Sequence, residues 1–354
     1  MSTLLPGIEQ SVVQTERLRT AVLRRSLDGD GGERTPVVLI HGNISSSLFF
    51  QPLMLALERP SIAIDLRGFG DSAPAPVDAR RGLRDFSDDV AAVLDALELS
   101  EVHLLGWSMG GGVVQQLALY RPELVASLTL QAPVPPYGFG TLADGTLCTP
   151  DGAGTGGGGG NPEFVQRLAE GDASDESGAS PRAVFRSSYV GPDHHDAHED
   201  LWVSSMLTTA TGPDHYPGDS RPSEHWPGFG AGDRGVLNTM SGVHLDLTGI
   251  VDLVDKPPIL WVRGSRDAIV GDESFFDLHT LGKHGVVPGW PGEEAAPPQP
   301  MIAQTRDVLD RYAAAGGQVR EEVFAGAGHS PHLEDPARFV RVLGEHLAAA
   351  ERRG

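Results

Sequence analysis

A serine between two glycines is the clearest candidate for chemistry in this sequence. The pentapeptide at 106–110, Gly-Trp-Ser-Met-Gly, follows the apolar run Val102–Leu105 and precedes a helical pattern over Val113–Tyr120. A serine at such a strand-to-helix turn adopts strained backbone with positive φ, and its hydroxyl projects from the end of the sheet. The two glycines leave room where strand and helix nearly touch. The alternative is a tight turn with an incidental serine, but the context favours a nucleophile at Ser108.

Two further residues stand where a serine nucleophile would need them. Asp267 follows an apolar strand pattern over 259–263, and His329 follows another over 318–324. Ligands of open α/β sheets bind beyond the carboxyl ends of the strands, and the chain order Ser, Asp, His fits that architecture. A histidine can take the serine proton near neutral pH, and an aspartate can hold the imidazole in the required tautomer. The sequence therefore predicts a catalytic triad.

Three other residues compete for these roles. His332 lies three residues beyond His329, at the start of the next helical pattern. Asp252 and Asp272 are rival acids, but neither lies directly behind a strand. The positions relative to the strands therefore favour His329 and Asp267.

A triad also needs donors for the negative charge that develops on an acyl oxygen. The backbone N–H of Met109, directly after the serine, is one such donor. The second is expected from a His-Gly-Asn sequence that follows the strand pattern at 36–40. Gly42 allows a close approach of the backbone, so the N–H of Asn43 is the expected donor. His41 is expected to brace this loop by hydrogen bonding.

Composition restricts the partners of the protein. The chain has 354 residues, of which 40% are hydrophobic and 21% charged, and its formal net charge is −21. That charge repels phosphate groups, so neither nucleic acid nor an anionic membrane is expected as a partner. One cysteine, Cys148, excludes an intrachain disulfide framework. We expect a cytoplasmic protein, because no apolar run has the length of a signal peptide or a membrane span. The sequence leaves open whether the protein forms a homo-oligomer.

The elements that position these residues alternate between strands and helices. Residues 11–27 form a strand pattern, followed by a predicted hairpin turn at 28–32. Between residues 36 and 130 the predicted strands are 36–40, 61–66, 102–105 and 125–130, and the predicted helices are 48–57 and 83–97. Such βαβ units indicate an α/β protein with a parallel sheet. The pattern resumes with a strand at 259–263, a helix at 301–315, a strand at 318–324 and a helix at 336–349.

A long insertion interrupts the alternation. It divides the chain into a core, 1–132 and 255–354, and an inserted segment, 133–254. Seven of the nine residues at 152–160 are glycine, which predicts a flexible loop. Two stretches of the insertion, 161–168 and 181–209, are predicted to be helical.

These motifs together resemble the α/β-hydrolase superfamily. The resemblance is carried by His41-Gly42, the segment Asp65–Ser72, the serine pentapeptide, Gly264-Ser-Arg-Asp267 and Gly328-His329, all in the family's order. It implies a mostly parallel eight-stranded sheet with helices on both faces. It also implies that 133–254 forms a cap over the active site, between the sixth and seventh strands. Asp65 is expected to brace the turn after its strand.

Resemblances to particular branches of the superfamily conflict. Residues 41–47 resemble the haloalkane dehalogenase loop, and residues 65–72 resemble epoxide hydrolases. Both activities require a carboxylate nucleophile, whereas position 108 is a serine. The serine pentapeptide also resembles that of cofactor-free haloperoxidase-like enzymes, which implies an esterase site.

The function predicted from the sequence is therefore acyl chemistry. We expect a serine hydrolase that cleaves a small or medium carboxylic ester or lactone through an acyl-enzyme on Ser108, with no cofactor. A carbon–carbon bond hydrolase, an acyltransferase and a non-catalytic ligand-binding protein remain as alternatives. Apolar residues at Ile44, Trp107, Trp202, Met206 and Trp226 are the expected substrate contacts, although they could also only pack the cap onto the core. The His- and Asp-rich stretch 193–200 is expected to be solvated, and no metal site is expected.

Overall fold

Eight strands form one central sheet in the computed structural model, which describes residues 3–26 and 34–352. The strands are β1 Glu9–Gln14, β2 Arg19–Arg25, β3 Val37–Ile40, β4 Ser61–Ile64, β5 Val102–Trp107, β6 Val125–Gln131, β7 Ile259–Gly264 and β8 Val319–Phe324. Their order in the sheet is β1-β2-β4-β3-β5-β6-β7-β8. β1 and β2 pair antiparallel, as do β2 and β4, and all other neighbours are parallel. The predicted mostly parallel eight-stranded sheet is confirmed.

The central strands are apolar along their whole length because both faces of the sheet are covered. Every residue of β3 and β5 is buried, as expected for parallel strands with helices on both sides. Helix α3, Met109–Tyr120, packs against α2, Arg84–Ala96, on one side. Helix α1, Gln51–Ala56, packs against α11, Pro336–Glu351, on the other.

The first predicted strand is wrong in its extent. Residues 11–27 do not form one strand, because the chain turns back between β1 and β2 at Thr15–Leu18. The Thr15 hydroxyl accepts hydrogen bonds from the N–H groups of Arg17 and Leu18, at 3.2 and 3.0 Å. A threonine side chain therefore makes this turn without glycine or proline. The hairpin turn predicted at 28–32 lies outside the described residues.

The remaining helices lie between and after the strands. They are α4 Pro162–Glu170, α5 Pro181–Val184, α6 Glu199–Met206, α7 Val236–Thr239, α8 Leu278–Lys283, α9 Met301–Ala314 and α10 Pro331–Glu334. Short 3₁₀ turns occupy Ser47–Phe50, Ala79–Arg81, Pro122–Leu124, Gly157–Gly159 and Thr248–Asp252. No helix among the described residues is both long enough and apolar enough to cross a membrane.

The inserted segment between β6 and β7 holds α4 to α7 and four short strands. These strands are Thr211–Gly212, Tyr216–Pro217, Ser220–Pro222 and Phe229–Ala231. The helix predicted over 181–209 is interrupted: α5 continues into a π-helical turn at Phe185–Tyr189, and α6 begins only at Glu199. Pro192 lies in the gap, where it has no N–H to continue a helix and disfavours helical backbone at the preceding residue.

The glycine tract at 152–160 has a packed position, in contrast with the flexible loop expected from its composition. The N–H of Gly154 donates to the carbonyl of Phe229, and the N–H of Gly157 donates to Asn238 Oδ1, both at 2.9 Å. A β-carbon added at Gly156 would lie 2.7 Å from Ala231 Cα. The glycines therefore allow the tract to pack closely against the rest of the insertion.

The inserted segment also contacts the core directly. The Trp202 ring of α6 stacks on Phe49 with ring centroids 4.9 Å apart. The hydroxyls of Ser205 and Ser46 hydrogen bond at 2.6 Å and are both buried. A cavity of about 430 Å³ lies between residues of the two parts.

Candidate active site

Ser108 stands at the turn between β5 and α3. Its backbone has φ 57° and ψ −121°, and its carbonyl accepts from the N–H groups of Gly111 and Val134 at 2.9 and 3.1 Å. A β-carbon added at Gly106 would overlap the carbonyl of Gly110, and one added at Gly110 would overlap the carbonyl of Ile40, so both must be glycine. The predicted strained turn and its close approach are both present. The Ser108 side chain lines the cavity.

His329 and Asp267 form a buried hydrogen-bonded pair. His329 Nδ1 lies 2.8 Å from Asp267 Oδ2, and the two side chains are 2% and 3% exposed. The other oxygen, Asp267 Oδ1, accepts from the N–H groups of Ile269 and Val270 at 2.8 and 3.0 Å. Because an ionised carboxylate only accepts, the proton of a neutral His329 ring resides on Nδ1. This leaves Nε2 with a lone pair that can take a proton.

The serine and the histidine meet at the same cavity. Both Ser108 and His329 line it. Trp107, the residue before the serine, donates from Nε1 to the carbonyl of His329 at 2.9 Å, and the two rings lie 5.6 Å apart. No hydrogen bond joins Ser108 Oγ to the imidazole among the described residues. Catalytic hydrogen bonds are often long before substrate binds, and proton transfer requires the ring and the hydroxyl to come within hydrogen-bond distance.

The competing residues have other roles. His332 is buried in the core, where its Nδ1 lies 2.7 Å from Gln131 Nε2 and burial lowers its pKa to about 3. Asp272 accepts from the N–H of Ile302 in the first turn of α9, at 2.7 Å. Asp252 ends a 3₁₀ turn. Within the described part of the chain, none of the three competitors lines the cavity.

The loop after β3, residues 41–46, which we call the Asn43 loop, brings backbone donors next to the serine. A β-carbon added at Gly42 would lie 2.9 Å from Ser108 Cβ, so only glycine permits this approach. His41 Nε2 accepts from the N–H of Leu66 at 3.0 Å, and therefore Nδ1 donates to the Gly42 carbonyl at 2.7 Å. Ser45 Oγ donates to the same carbonyl at 2.9 Å. Burial lowers the pKa of His41 to about 4, so the ring stays neutral.

Fixing the Gly42 carbonyl also fixes the next N–H. In a trans peptide the carbonyl and the following N–H point in opposite directions, so the Asn43 N–H points away from His41. Among the described residues, the N–H groups of Asn43 and Met109 have no backbone acceptor. Asn43 and Ser108 line the same cavity, and these two N–H groups can therefore serve as a pair of donors beside the serine.

A tyrosine of the insertion holds this loop from the other side. The Tyr189 hydroxyl donates towards the carbonyls of Asn43 and Ile44, at 2.9 and 3.1 Å. The side chain is buried, and its ring packs edge-on against Trp107 with centroids 5.7 Å apart. Sequence analysis missed Tyr189, because no motif marks this part of the chain.

The turn after β4 is also braced from within. Asp65 Oδ1 accepts from the N–H of Ser47 at 2.7 Å, and Oδ2 accepts from the N–H of Asp71 at 2.9 Å. Burial raises the pKa of this carboxyl to about 6. Asp65 thus connects its own turn to the segment that follows the Asn43 loop, which is the bracing role expected of it.

The predicted substrate contacts divide into two groups. Ile44 and Trp107 line the cavity. Trp202 and Met206 do not: both are buried in the packing of α6, where Trp202 stacks on Phe49. Trp226 also lies elsewhere, with its Nε1 donating to the carbonyl of Pro288 at 2.9 Å. These three side chains therefore lie outside the cavity lining, and their contact with a substrate stays a prediction.

Other residues make the cavity wall, which we define as the lining outside Trp107, Ser108, His329 and the Asn43 loop. Its larger side chains are Phe139, Phe164, Tyr189, Tyr216, Leu237, Met240, Ile269, Phe275, Phe276, Leu278 and Leu281. Gly154, Gly156, Gly159 and Gly160 of the glycine tract also contribute. Asp277 and Gln299 are polar members of the wall. The wall is thus built by the insertion and by the chain after β7.

The described residues contain no group of three or more His, Cys, Asp or Glu side chains that could hold a metal ion. In the stretch 193–200, His194 pairs with Asp196 at 3.3 Å, and Glu199 and Asp200 pair with Arg182. The lone Cys148 is buried, and burial raises its pKa to about 12.

Residues 35–150 match the family model of the α/β hydrolase fold. This range contains β3, the Asn43 loop, β5 and Ser108, and the sheet has the family's strand arrangement. The chain has the α/β-hydrolase fold. One curated relative is the dihydrolipoyllysine-residue acetyltransferase component of the acetoin cleaving system of Pseudomonas putida. It is 46% identical over 110 residues, which are 30% of this chain and 28% of that protein. The chain spans about a third of the length of the curated relatives it matches.

Solved structures of α/β hydrolases are similar over nearly the whole chain. Carboxylesterase CesB of Bacillus subtilis has a TM-score of 0.58 at 16% identity, covering 97% of this chain and 92% of that one. The N-acyl homoserine lactonase AidH has a TM-score of 0.54 at 19% identity, covering 97% of each chain. At these identities the likeness is one of fold, and it includes the inserted segment.

Proposed function

We propose that this α/β hydrolase cleaves a carboxylic ester or lactone of small or medium size through an acyl-enzyme on Ser108. His329 is the general base, and Asp267 holds its imidazole. The backbone N–H groups of Asn43 and Met109 stabilise the oxyanion. The observation that carries the proposal is the hydrogen-bonded pair of His329 and Asp267, which ends at the cavity that Ser108 also lines.

The first half of the reaction follows from these positions. His329 Nε2 takes the proton of the Ser108 hydroxyl as Oγ bonds to the acyl carbon, and the acyl oxygen becomes an oxyanion held by the two N–H groups. Asp267 stabilises the imidazolium that forms. The bond between the acyl carbon and the alcohol oxygen then breaks, and the alcohol leaves with the proton from His329.

The second half repeats these roles with water. His329 Nε2 takes a proton from water as its oxygen bonds to the acyl carbon, and the bond to Ser108 Oγ breaks. The serine recovers its proton from His329, and the free acid leaves. The volume of about 430 Å³ lies within the range of small-molecule sites, which supports a small or medium substrate.

The covering role of residues 133–254 is part of the same proposal. Tyr189 and Tyr216 of this segment line the same cavity as Ser108, and Tyr189 hydrogen bonds to the Asn43 loop. We infer that the segment is a cap that shields the acyl-enzyme and selects the substrate. Comparing the products formed by the intact protein with those formed by variants substituted in the cap tests whether the cap selects the substrate.

The test uses Ser108→Ala beside the matched variant Ser11→Ala, which removes a serine from β1. We expect Ser108→Ala to lower kcat/KM for aryl and alkyl esters by about 10⁴-fold or more. It should also abolish covalent labelling by a fluorophosphonate, whereas Ser11→Ala keeps both. Labelling of another residue, or activity retained by Ser108→Ala, would refute the proposal. An unlabelled but folded wild-type protein would instead favour a non-catalytic ligand-binding role.

Acyl transfer is the second candidate, because a relative with 46% identity over 110 residues is named an acetyltransferase component. The same serine, histidine and donors would act, with an alcohol or thiol replacing water in the second half. The discriminating measurement is the product formed when water is the sole acceptor. Rapid release of free acid supports hydrolysis, while accumulation of acylated Ser108 supports transfer.

A further inference from the structure

One buried tyrosine of the cavity wall has a hydroxyl that finds no partner within residues 3–26 and 34–352. Tyr216 lies in the short strand Tyr216–Pro217 of the insertion, is 5% exposed, and lines the cavity. Its ring packs edge-on against Phe164, with centroids 6.2 Å apart. Among the described residues its hydroxyl makes no hydrogen bond, yet the hydroxyl oxygen is not completely buried. The hydroxyl therefore keeps accessible surface, and the cavity is the space that Tyr216 lines.

The other buried tyrosines show what is unusual here. The Tyr189 hydroxyl bonds to the Asn43 loop, and the Tyr312 hydroxyl donates to the carbonyl of Pro257 at 2.6 Å. Buried phenol groups normally find such partners, because desolvation without one costs free energy. Burial also raises the pKa of Tyr216, so its hydroxyl stays protonated and can both donate and accept.

The charges around the cavity limit what could meet this hydroxyl. No lysine or arginine belongs to the described lining, whereas Asp277 does. Asp277 Oδ2 already accepts from Thr280 Oγ1 and from the N–H of Gln299, both at 2.9 Å. The chain as a whole carries a net charge of −21. An anionic group on the substrate would have no cation to pair with, so a neutral polar group fits this wall best.

We propose that the Tyr216 hydroxyl hydrogen bonds a neutral oxygen of the substrate, a hydroxyl or ketone group separate from the ester that is cleaved. The inference rests on the proposed function and narrows its substrate class to medium-sized oxygenated esters or lactones with an apolar skeleton. Tyr216 is thereby a specificity-determining residue that makes no contact with the reacting atoms.

The direct test measures binding without turnover, in the Ser108→Ala protein. The probes are methyl esters of medium-chain acids with one hydroxyl or keto group at successive carbons, each compared with its unsubstituted parent. We expect at least one substituted ester to bind about five- to ten-fold more tightly than its parent, as one added hydrogen bond allows. The preference should vanish in Ser108→Ala/Tyr216→Phe and persist in Ser108→Ala/Tyr312→Phe. A preference that survives Tyr216→Phe, or none at any position, overturns the inference.

Thermal unfolding gives an independent readout. Replacing a partnered hydroxyl loses a hydrogen bond, whereas replacing an unpaired one is neutral or stabilising. We therefore expect Tyr216→Phe to leave Tm unchanged or higher, while Tyr189→Phe and Tyr312→Phe lower it. A fall in Tm for Tyr216→Phe equal to that of Tyr189→Phe would show a protein partner and refute the inference. Because binding and unfolding need no catalysis, loss of the proposed hydrolase activity would appear separately, as wild-type protein that binds these esters but does not cleave them.

Discussion

The core rim, made by Ser108, His329, Asp267 and the Asn43 loop, differs from the cavity wall in how its polar groups are held. Asp267 accepts three hydrogen bonds, two of them from backbone N–H groups. The Gly42 carbonyl accepts two, from His41 and Ser45. In the wall, Tyr189 and Asp277 have protein partners, whereas the Tyr216 hydroxyl has none among the described residues. The difference teaches that orientation is built into the core rim before substrate arrives, whereas the wall leaves part of its hydrogen bonding to the substrate.

Among substitutions in the core rim, Asp267→Asn is expected to cause the largest loss of activity. The amide oxygen can replace Oδ1 as acceptor for the two backbone N–H groups, so the amide nitrogen then faces His329 Nδ1. A donor there forces the ring proton onto Nε2, and the base is lost. We expect kcat to fall by about 10⁴-fold with the fold intact, measured by ester hydrolysis and circular dichroism. Asp272→Asn is the matched control, and a fall of less than ten-fold for Asp267→Asn would contradict the assigned role.

Gly42→Ala tests the second oxyanion donor. The added methyl would lie 2.9 Å from Ser108 Cβ, closer than real contacts of this kind, so the loop must shift. Displacing one donor costs about 10²- to 10³-fold in kcat. Gly344→Ala is the control, because a β-carbon there meets nothing within 4 Å and alanine favours its helix. Equal activity of the two variants would remove the Asn43 loop from the mechanism.

The smallest expected effect concerns the pH dependence of stability. It compares His332, which is buried in the core, with His194 of the insertion. Burial holds the folded pKa of His332 at about 3, below its ordinary value of 6.5. The unfolded chain therefore binds a proton more readily as the pH falls, and stability falls with it. Between pH 7 and 5 this group alone costs about 2 kcal/mol of unfolding free energy. His332→Asn keeps an acceptor for Gln131 but cannot titrate, so its stability should fall less over this range in chemical denaturation.

The partner variant His194→Asn should behave in the opposite way. The hydrogen bond to Asp196 raises the pKa of His194, so its contribution is present at low pH and lost as the pH rises. Removing it should make the loss of stability on acidification steeper than in the wild type. If stability depended on pH equally in both variants, the opposite pKa shifts assigned to His332 and His194 would be contradicted.

Sequence could predict the core rim because regular elements position it. Ser108, Asp267 and His329 each follow a strand whose apolar pattern is legible, and parallel strands bring their ends to one edge. The wall could not be predicted in this way. Tyr189 and Tyr216 lie in segments with no sustained period, and their directions depend on how the insertion packs. The positions of Trp202 and Trp226 could not be predicted for the same reason, since an aromatic side chain suits a packed interior as well as a cavity.

The turn at Thr15–Leu18 and the glycine tract show a second limit. Both depend on side chains acting on backbone groups: the Thr15 hydroxyl on its neighbours, and Asn238 Oδ1 on the N–H of Gly157. Composition marks glycine-rich stretches as mobile, but a distant asparagine that accepts from their N–H groups leaves no local pattern. Only the tertiary structure identifies such a partner.

The glycines at the cavity have a consequence for how this protein could change its preferences. Where glycines form the cavity surface, replacing one Cα hydrogen by a methyl group would reduce the cavity volume. At Gly159 the nearest atom to such a methyl is Leu278 Cδ1, 3.9 Å away, so alanine is accommodated there without displacing a neighbour. A single-nucleotide change from glycine to alanine at position 159 can thus reduce the size of ligand that the cavity accepts, while the reacting groups stay unchanged.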